Sequence, residues 1–246
     1  MTLYGDERID HLVQDEKIRI IQSPTVFSYS LDAVLLAHFT YMPIQKGNIL
    51  DLCTGNGAIP LLLSQRTHGK IVGLEIQERL TNMAKRSIVL NDLTDKISII
   101  QGDLTERQTA LQQSFYDVVT CNPPYFQTKH PTQHNENEHL TIARHEVCCT
   151  LEQVIAACKL YVKPGGKISL VHRPERLVDI LTYMRAYRIE PKRLQFVYPK
   201  AGKDANMLLI EGIRDGKSGL QVLDPLYTYE ADGRYTAEMR SIIYGE

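Results

Sequence analysis

One short run in the sequence carries residue types suited to a difficult reaction at nitrogen. Cys121-Asn122-Pro123-Pro124-Tyr125 follows an apolar stretch that begins at Phe115. Two consecutive prolines hold the backbone extended and remove two N–H donors. The Asn122 side-chain oxygen and the Pro123 carbonyl remain as rigid acceptors, and Pro124 leads directly into the aromatic Tyr125. An exocyclic or amide nitrogen is a poor nucleophile because its lone pair is delocalised. Two acceptors aimed at its N–H bonds favour pyramidalisation and stabilise the positive charge that develops during attack. No strong general base is needed, because the product nitrogen is itself acidic. Tyr125 has the ring to stack on a planar base. Asn122, Pro123, Pro124 and Tyr125 are therefore the expected catalytic residues.

A second constellation lies upstream. The apolar run from Asn48 leads into Asp51-Leu52-Cys53-Thr54-Gly55-Asn56-Gly57. Gly55 and Gly57 permit backbone angles other residues resist, and let a ligand approach closely. The next apolar run ends in Glu75, 18 residues after Gly57. A carboxylate at that place accepts hydrogen bonds from both hydroxyls of a ribose. A dinucleotide site would favour a third glycine for the pyrophosphate, and Pro60 stands there instead. Asp51 would also repel a phosphate. S-adenosylmethionine has a ribose and a cationic sulfonium but no phosphate, and suits these residues better. Gly102-Asp103 ends a third run, where the acid can bond an adenine amino group and Ile76 and Leu104 can flank the ring. The expected cofactor residues are Asp51, Cys53, Thr54, Gly55, Asn56, Gly57, Glu75, Ile76, Gly102, Asp103, Leu104 and Asn122.

Strands and helices must alternate to place these loops. Strands are expected at 48–52, 70–75, 96–101, 115–121, 167–172, 192–199 and 205–213, with a weaker one at 16–22. Helices are expected at 31–41, capped by Ser30, and at 57–66, 77–91, 150–161 and 174–186. Lys163-Pro164-Gly165-Gly166 reads as a break. Such alternation points to an α/β fold, a doubly wound, mostly parallel sheet covered on both faces. Ligands in such sheets bind beyond the carboxyl ends of the strands, where both constellations fall. Three parts are expected: a strand/helix extension packing on the core (1–46), a cofactor-binding domain (47–214) and a turn-rich tail (215–246).

Composition narrows the partners. The chain has 246 residues, 43% hydrophobic, with 28 Lys+Arg, 29 Asp+Glu and a net charge of −1. A protein that coats nucleic acid by bulk charge is excluded, although a local basic face is not. No apolar run is long enough for a membrane span, and the polar, acidic N-terminal run does not read as a signal peptide. Five cysteines, at 53, 121, 148, 149 and 158, show no regular spacing and fit reduced thiols in the cytoplasm. His130, His134 and His139 lack the companions of a metal site, and no metal is expected.

On these motifs the chain resembles class I, Rossmann-like, S-adenosylmethionine-dependent methyltransferases of the amino-methylating kind. More narrowly, Phe27 to Ala37 (FSYSLDAVLLA), Asn122 to Phe126 (NPPYF), Ala143 to Glu146 (ARHE) and His172 to Arg176 (HRPER) resemble the tRNA1(Val) adenine-37 N6-methyltransferase family. The similarity runs from about residue 20 to 214. It implies a seven-stranded sheet whose last strand is antiparallel. It also implies that Asp51, Gly55, Gly57, Glu75, Asp103 and Asn122 line the cofactor and target pocket.

The implied activity is N6-methylation of an adenine in RNA, with tRNA as the partner and a monomer or weak homodimer as the working form. Residues 185–217 hold eight basic and four acidic side chains, a net of +4, enough for a phosphate-binding stripe. Phe126, Arg144, Arg173, Arg176, Lys200 and Lys203 are the expected substrate contacts, and residues 127–141 an expected lid. Alternatives remain. A protein glutamine-N5 methyltransferase presents the same chemistry to an amide, but its family usually adds an N-terminal helical domain. Only about 47 residues precede the first core strand here. A guanine-N2 RNA methyltransferase also uses NPP followed by an aromatic. A DNA methyltransferase would need a target-recognition domain. A non-enzyme that kept the fold for binding alone would be expected to show damage at Asn122 or the glycine loop, and shows none.

Overall fold

A computed structural model describes residues 2–12, 15–26, 28–42, 45–125 and 149–245. In chain order it contains β1 (Arg8–Leu12), β2 (Asp15–Gln22), α1 (Leu31–Phe39), β3 (Asn48–Leu52), α2 (Ala58–Ser64), β4 (Lys70–Glu75), α3 (Glu78–Leu90), β5 (Ile97–Gln101) and β6 (Tyr116–Cys121). After these come α4 (Leu151–Tyr161), β7 (Val162–His172), a 3-10 turn (Pro174–Arg176), α5 (Leu177–Ala186), β8 (Ile189–Tyr198), β9 (Met207–Arg214), β10 (Gln221–Val222), β11 (Leu226–Tyr227) and α6 (Ala237–Tyr244).

Seven strands form the central sheet in the order β5-β4-β3-β6-β7-β9-β8. β3 to β7 are mutually parallel, while β9 is antiparallel to both β7 and β8. The antiparallel strand is the last of the seven, as expected, and it lies inside the sheet. β8 therefore runs in the same direction as β7, so its carboxyl end shares a rim with theirs. Successive residues point to opposite faces of a strand, and both faces are covered. Ile49 and Val118 join α1 and α2 in one apolar cluster, while their neighbours Leu50 and Val119 join α4 and α5 in the other. This two-sided burial explains the continuous apolar runs in these strands.

Several boundaries differ from expectation for local reasons. β7 begins at Val162, so Lys163-Pro164-Gly165-Gly166 lies inside the strand as an irregularity opposite Tyr116 and Val118. Gly165 takes φ +75 there. Ser30 stands at the N-cap of α1 without capping it; its hydroxyl bonds the Asp32 carboxylate instead. β1, absent from the expected elements, pairs with β2 as a hairpin. The hairpin is tied to α3 through Ile21 N–H to Ser87 Oγ (3.0 Å) and Arg19 N–H to Asn91 Oδ1 (2.9 Å). The tail adds β10 and β11 parallel to β8, and buries Leu226, Met239, Ile242 and Ile243 with α1 and α2. Among the described residues, no helix is long and apolar enough to cross a membrane.

Gly73, in the middle of β4, has no room for a side chain. A Cβ there would sit 2.7 Å from Ile99 Cδ1 and 2.8 Å from Thr54 Oγ1. Gly73→Ala should lower stability by about 1–3 kcal/mol in urea denaturation, the usual cost of overpacking. An unchanged midpoint would contradict this packing.

Candidate active site

The chain turns sharply where β3 ends. Cys53 (φ +56), Gly55 (φ +58) and Gly57 (φ +88) all take left-handed backbone angles within five residues. Cys53 is the costly member, since its Cβ strains a conformation that suits glycine. Gly57 also lets α3 approach, because a Cβ on it would lie 3.2 Å from Ala84 Cβ. The loop wraps the mouth of a cavity of about 590 Å³, which Cys53, Thr54, Gly55 and Asn56 line. Asp51 and Gly57 do not line it; they hold the loop from below and behind.

Asp51 is fully buried, and its two oxygens each accept a hydroxyl proton. Thr54 Oγ1 in the loop donates to Oδ2 and Thr120 Oγ1 in β6 donates to Oδ1, both at 2.6 Å. One carboxyl therefore joins the cofactor loop to the strand that leads into Asn122. Burial pushes its pKa up to about 7, with Glu75 adding repulsion and the two hydroxyls pulling it back.

Glu75 is buried at the end of β4 and lines the same cavity. The Gly55 N–H donates to its Oε2 at 2.8 Å and the Gln77 N–H to its Oε1 at 3.0 Å. Burial raises its pKa, and these amides oppose the rise. A fixed carboxylate with spare lone pairs facing a cavity is what a ribose diol requires. At the end of β5, Gly102 makes room for Gln108, whose amide bonds the Asp103 carbonyl at 2.6 Å. Thr105 N–H and Oγ1 both donate to Asp103 Oδ1 at 2.8 Å, which aims the other oxygen elsewhere. Ile76, Gly102, Asp103 and Leu104 all line the cavity. S-adenosylmethionine fits this donor and acceptor set: Glu75 for the ribose and Asp103 with Ile76 and Leu104 for the adenine, with Arg173 the one basic side chain among the described lining residues.

β6 delivers Asn122 to Tyr125 to the same cavity. Pro123 and Pro124 are buried, while Asn122 and Tyr125 are half-buried. The Tyr125 hydroxyl lies 2.5 Å from both Asp32 Oδ2 and Asn122 Oδ1. Burial and the Asp32 charge push the Tyr125 pKa well above its ordinary value, so it remains a phenol. His172 packs beside the Tyr125 ring, at 5.3 Å between centroids. Burial lowers its pKa to about 4, so the imidazole is neutral at physiological pH.

Sequence reasoning missed one wall. Pro24, Val26, Ser28, Tyr29 and Asp32 close the cavity from the N-terminal side. Asn56 holds this wall, donating from Nδ2 to the Ile21 carbonyl at 3.1 Å. The available signal was Asp32, an acid opening a helix that is otherwise apolar.

The basic segment 185–217 does not form one stripe. Lys200 and Lys203 sit exposed in the turn from β8 to β9, on the carboxyl rim that carries the site. Arg185 and Arg188 precede β8 and Arg214 ends β9, which puts them on the opposite rim. Those charges are also paired, Arg185 with Glu190 and both Arg188 and Arg214 with Asp215. Arg193 is engaged with the buried Glu211. Arg173 lines the cavity, and Arg176 pairs with Asp179. Phe126, Arg144, the histidines at 130, 134 and 139, and the expected lid lie outside the described residues. Among the described residues, no cluster of His, Cys, Asp or Glu could hold a metal ion.

A sheet that binds at its carboxyl rim, with a glycine loop, a ribose acid and an Asn-Pro-Pro-Tyr turn in one cavity, defines a class I methyltransferase. The model of the methyltransferase small domain family matches residues 17–182, so the chain belongs to that family. It is an enzyme, and S-adenosylmethionine is its methyl donor. The tRNA1(Val) (adenine(37)-N6)-methyltransferase of Porphyromonas gingivalis is 29% identical over 195 residues, covering 77% of this chain and 75% of that one. Its namesake from Shewanella loihica is 33% identical over 165 residues, covering 65% and 66%. Among solved structures, a predicted O-methyltransferase from Agrobacterium tumefaciens has the same fold. It matches with a TM-score of 0.69 at 22% identity, over 86% of this chain and 95% of that one.

The Asp51 carboxyl is expected to make stability depend on pH. Its folded pKa of about 7 lies above the ordinary 3.8. Its contribution is complete below about pH 4 and lost as pH rises through about 7. Asp51→Asn should therefore gain stability relative to wild type as pH rises from 5 to 8, by up to about 2.5 kcal/mol. Parallel denaturation curves at the two pH values measure this; a constant difference between variant and wild type would contradict it.

Proposed function

We propose that this enzyme methylates N6 of an adenine in RNA, and that the RNA is a tRNA, read as in the tRNA1(Val) adenine-37 enzymes. The observation that carries this reading is Asn122 at the mouth of the cofactor cavity, on a turn held by two buried prolines. The related sequences that bear this activity by name, and the likeness over most of the chain, support it.

Bound S-adenosylmethionine supplies a methyl group on a cationic sulfur. The protein's own residues prepare the nitrogen. The Asn122 side-chain oxygen and the Pro123 carbonyl accept the two N6–H bonds, which draws the lone pair out of conjugation. With the donor bound, transfer of its methyl from sulfur to N6 would place positive charge on that nitrogen, and the same two acceptors would stabilise it. The extra proton then leaves to water. A neutral His172 beside Tyr125 adds no opposing charge. Lys200 and Lys203 provide phosphate contacts on the same rim, about 14 Å from β6 at the usual strand spacing.

The described residues of 8–39 form a hairpin and a helix packed on the core, and supply part of the cavity wall beside Asn122. Cys53, Cys121 and Cys158 are free thiols, which suits the reducing cytoplasm.

The deciding experiment is methyl transfer to total tRNA, with product nucleosides identified by mass spectrometry. N6-methyladenosine is expected; N2-methylguanosine, or labelled protein with unlabelled RNA, would overturn the reading. Asn122→Ala should lose about 100-fold or more in kcat while keeping cofactor affinity within a few-fold in calorimetry. Lys200→Ala with Lys203→Ala should weaken tRNA binding and reduce its salt dependence by about two in log–log slope. An unchanged slope would move the RNA surface elsewhere.

A further inference from the structure

The Tyr125 hydroxyl presents a problem of proton counting. It has one proton, yet Asp32 Oδ2 and Asn122 Oδ1 both lie 2.5 Å from its oxygen. Both neighbouring atoms are acceptors, so one proton cannot serve both contacts. An amide turned by 180° fills the same space with nitrogen and oxygen exchanged. With Asn122 turned, its Nδ2–H donates to the Tyr125 oxygen, and the Tyr125 proton goes to Asp32. Both contacts are then satisfied. The Asn122 oxygen is left facing away from Tyr125, free to accept from a target amine.

The state of Asp32 decides between the two orientations. If Asp32 carried a proton it would donate to Tyr125, Tyr125 would donate to the Asn122 oxygen, and the amide NH2 would face the target. That group repels an amine. Two features hold Asp32 as an acceptor. Ser30 Oγ and the Ala33 N–H (3.0 Å) both donate to its Oδ1. It also lies in the first turn of α1, where the helix dipole favours negative charge. Asp32 is 7% exposed, so water does not compete freely for these contacts.

We infer that Asp32 is a positioning residue: through Tyr125 it sets which end of the Asn122 amide faces the target nitrogen. Asp32 makes no contact with the reacting atoms in this scheme. Tyr125 acquires a role beyond stacking, as the relay between a helix near the N-terminus and a turn 93 residues away. The inference rests on the proposed part of Asn122 as acceptor for the target amine.

The test is a set of variants assayed by methyl transfer to tRNA. Asp32→Asn keeps shape but donates to Tyr125, which reverses the chain of protons. It should lower kcat by about tenfold or more, with KM for tRNA and cofactor affinity within about threefold. Tyr125→Phe removes the relay, so adding Asp32→Asn to it should change kcat by less than about twofold. Equal losses in the two backgrounds would overturn the relay, as would full activity of Asp32→Asn. Asn122→Asp supplies a second check, because its two carboxylate oxygens are equivalent and two acids then compete for one tyrosine proton. In that background Asp32→Asn should raise activity, a sign change that a merely structural role would not produce. A further loss there would overturn the inference. Wild-type protein that methylates no RNA would instead count against the functional reading itself.

Discussion

The site depends on one buried carboxyl. Asp51, near the end of β3, accepts a hydrogen bond from Thr54 on one side and from Thr120 on the other. Thr54 belongs to the cofactor loop, and Thr120 lies two residues before Asn122. The glycine loop and the Asn-Pro-Pro-Tyr turn are thus anchored to the same side chain. A buried acid is unfavourable when ionised, and its raised pKa records that cost. The fold tolerates it because both oxygens are satisfied. Gly73 extends the same constraint to β4, where a side chain would displace Thr54.

Around that anchor the sheet acts as a frame. Three strand ends present Gly55, Glu75 and Asp103 to one cavity, and a fourth presents Asn122 to it. The N-terminal hairpin and α1 add the remaining wall, tied in by Asn56 on Ile21 and by Tyr125 on Asp32. The start of α1 is joined to Asn122 through two hydrogen bonds at the Tyr125 hydroxyl.

Much of this was legible in the sequence. The loop 51–57, Glu75, Asp103 and the turn 122–125 are local signals, each carried by residue types that few other structures require. The alternation of elements made the doubly wound sheet readable, and the resemblance carried the antiparallel seventh strand. What was not legible is non-local. Nothing in the spacing of Asp32 and Tyr125 shows that they touch. The +4 count over 185–217 could not show that strand direction divides it between two rims, leaving Lys200 and Lys203 on the side of the site. Asp51 was read as a cofactor contact because it neighbours the glycines, whereas burial assigns it to the loop beneath. Ser30 was read as a helix cap, and a competing acid two residues on took its hydroxyl.

The most direct test of the account is a crystal structure with S-adenosylhomocysteine and an RNA oligonucleotide carrying the target adenine. Glu75 is expected on the ribose of the cofactor product. The adenine N6 is expected within hydrogen-bond reach, about 3 Å, of both the Asn122 side-chain oxygen and the Pro123 carbonyl. An adenine held elsewhere, or an N6 facing the Asn122 nitrogen, would contradict it.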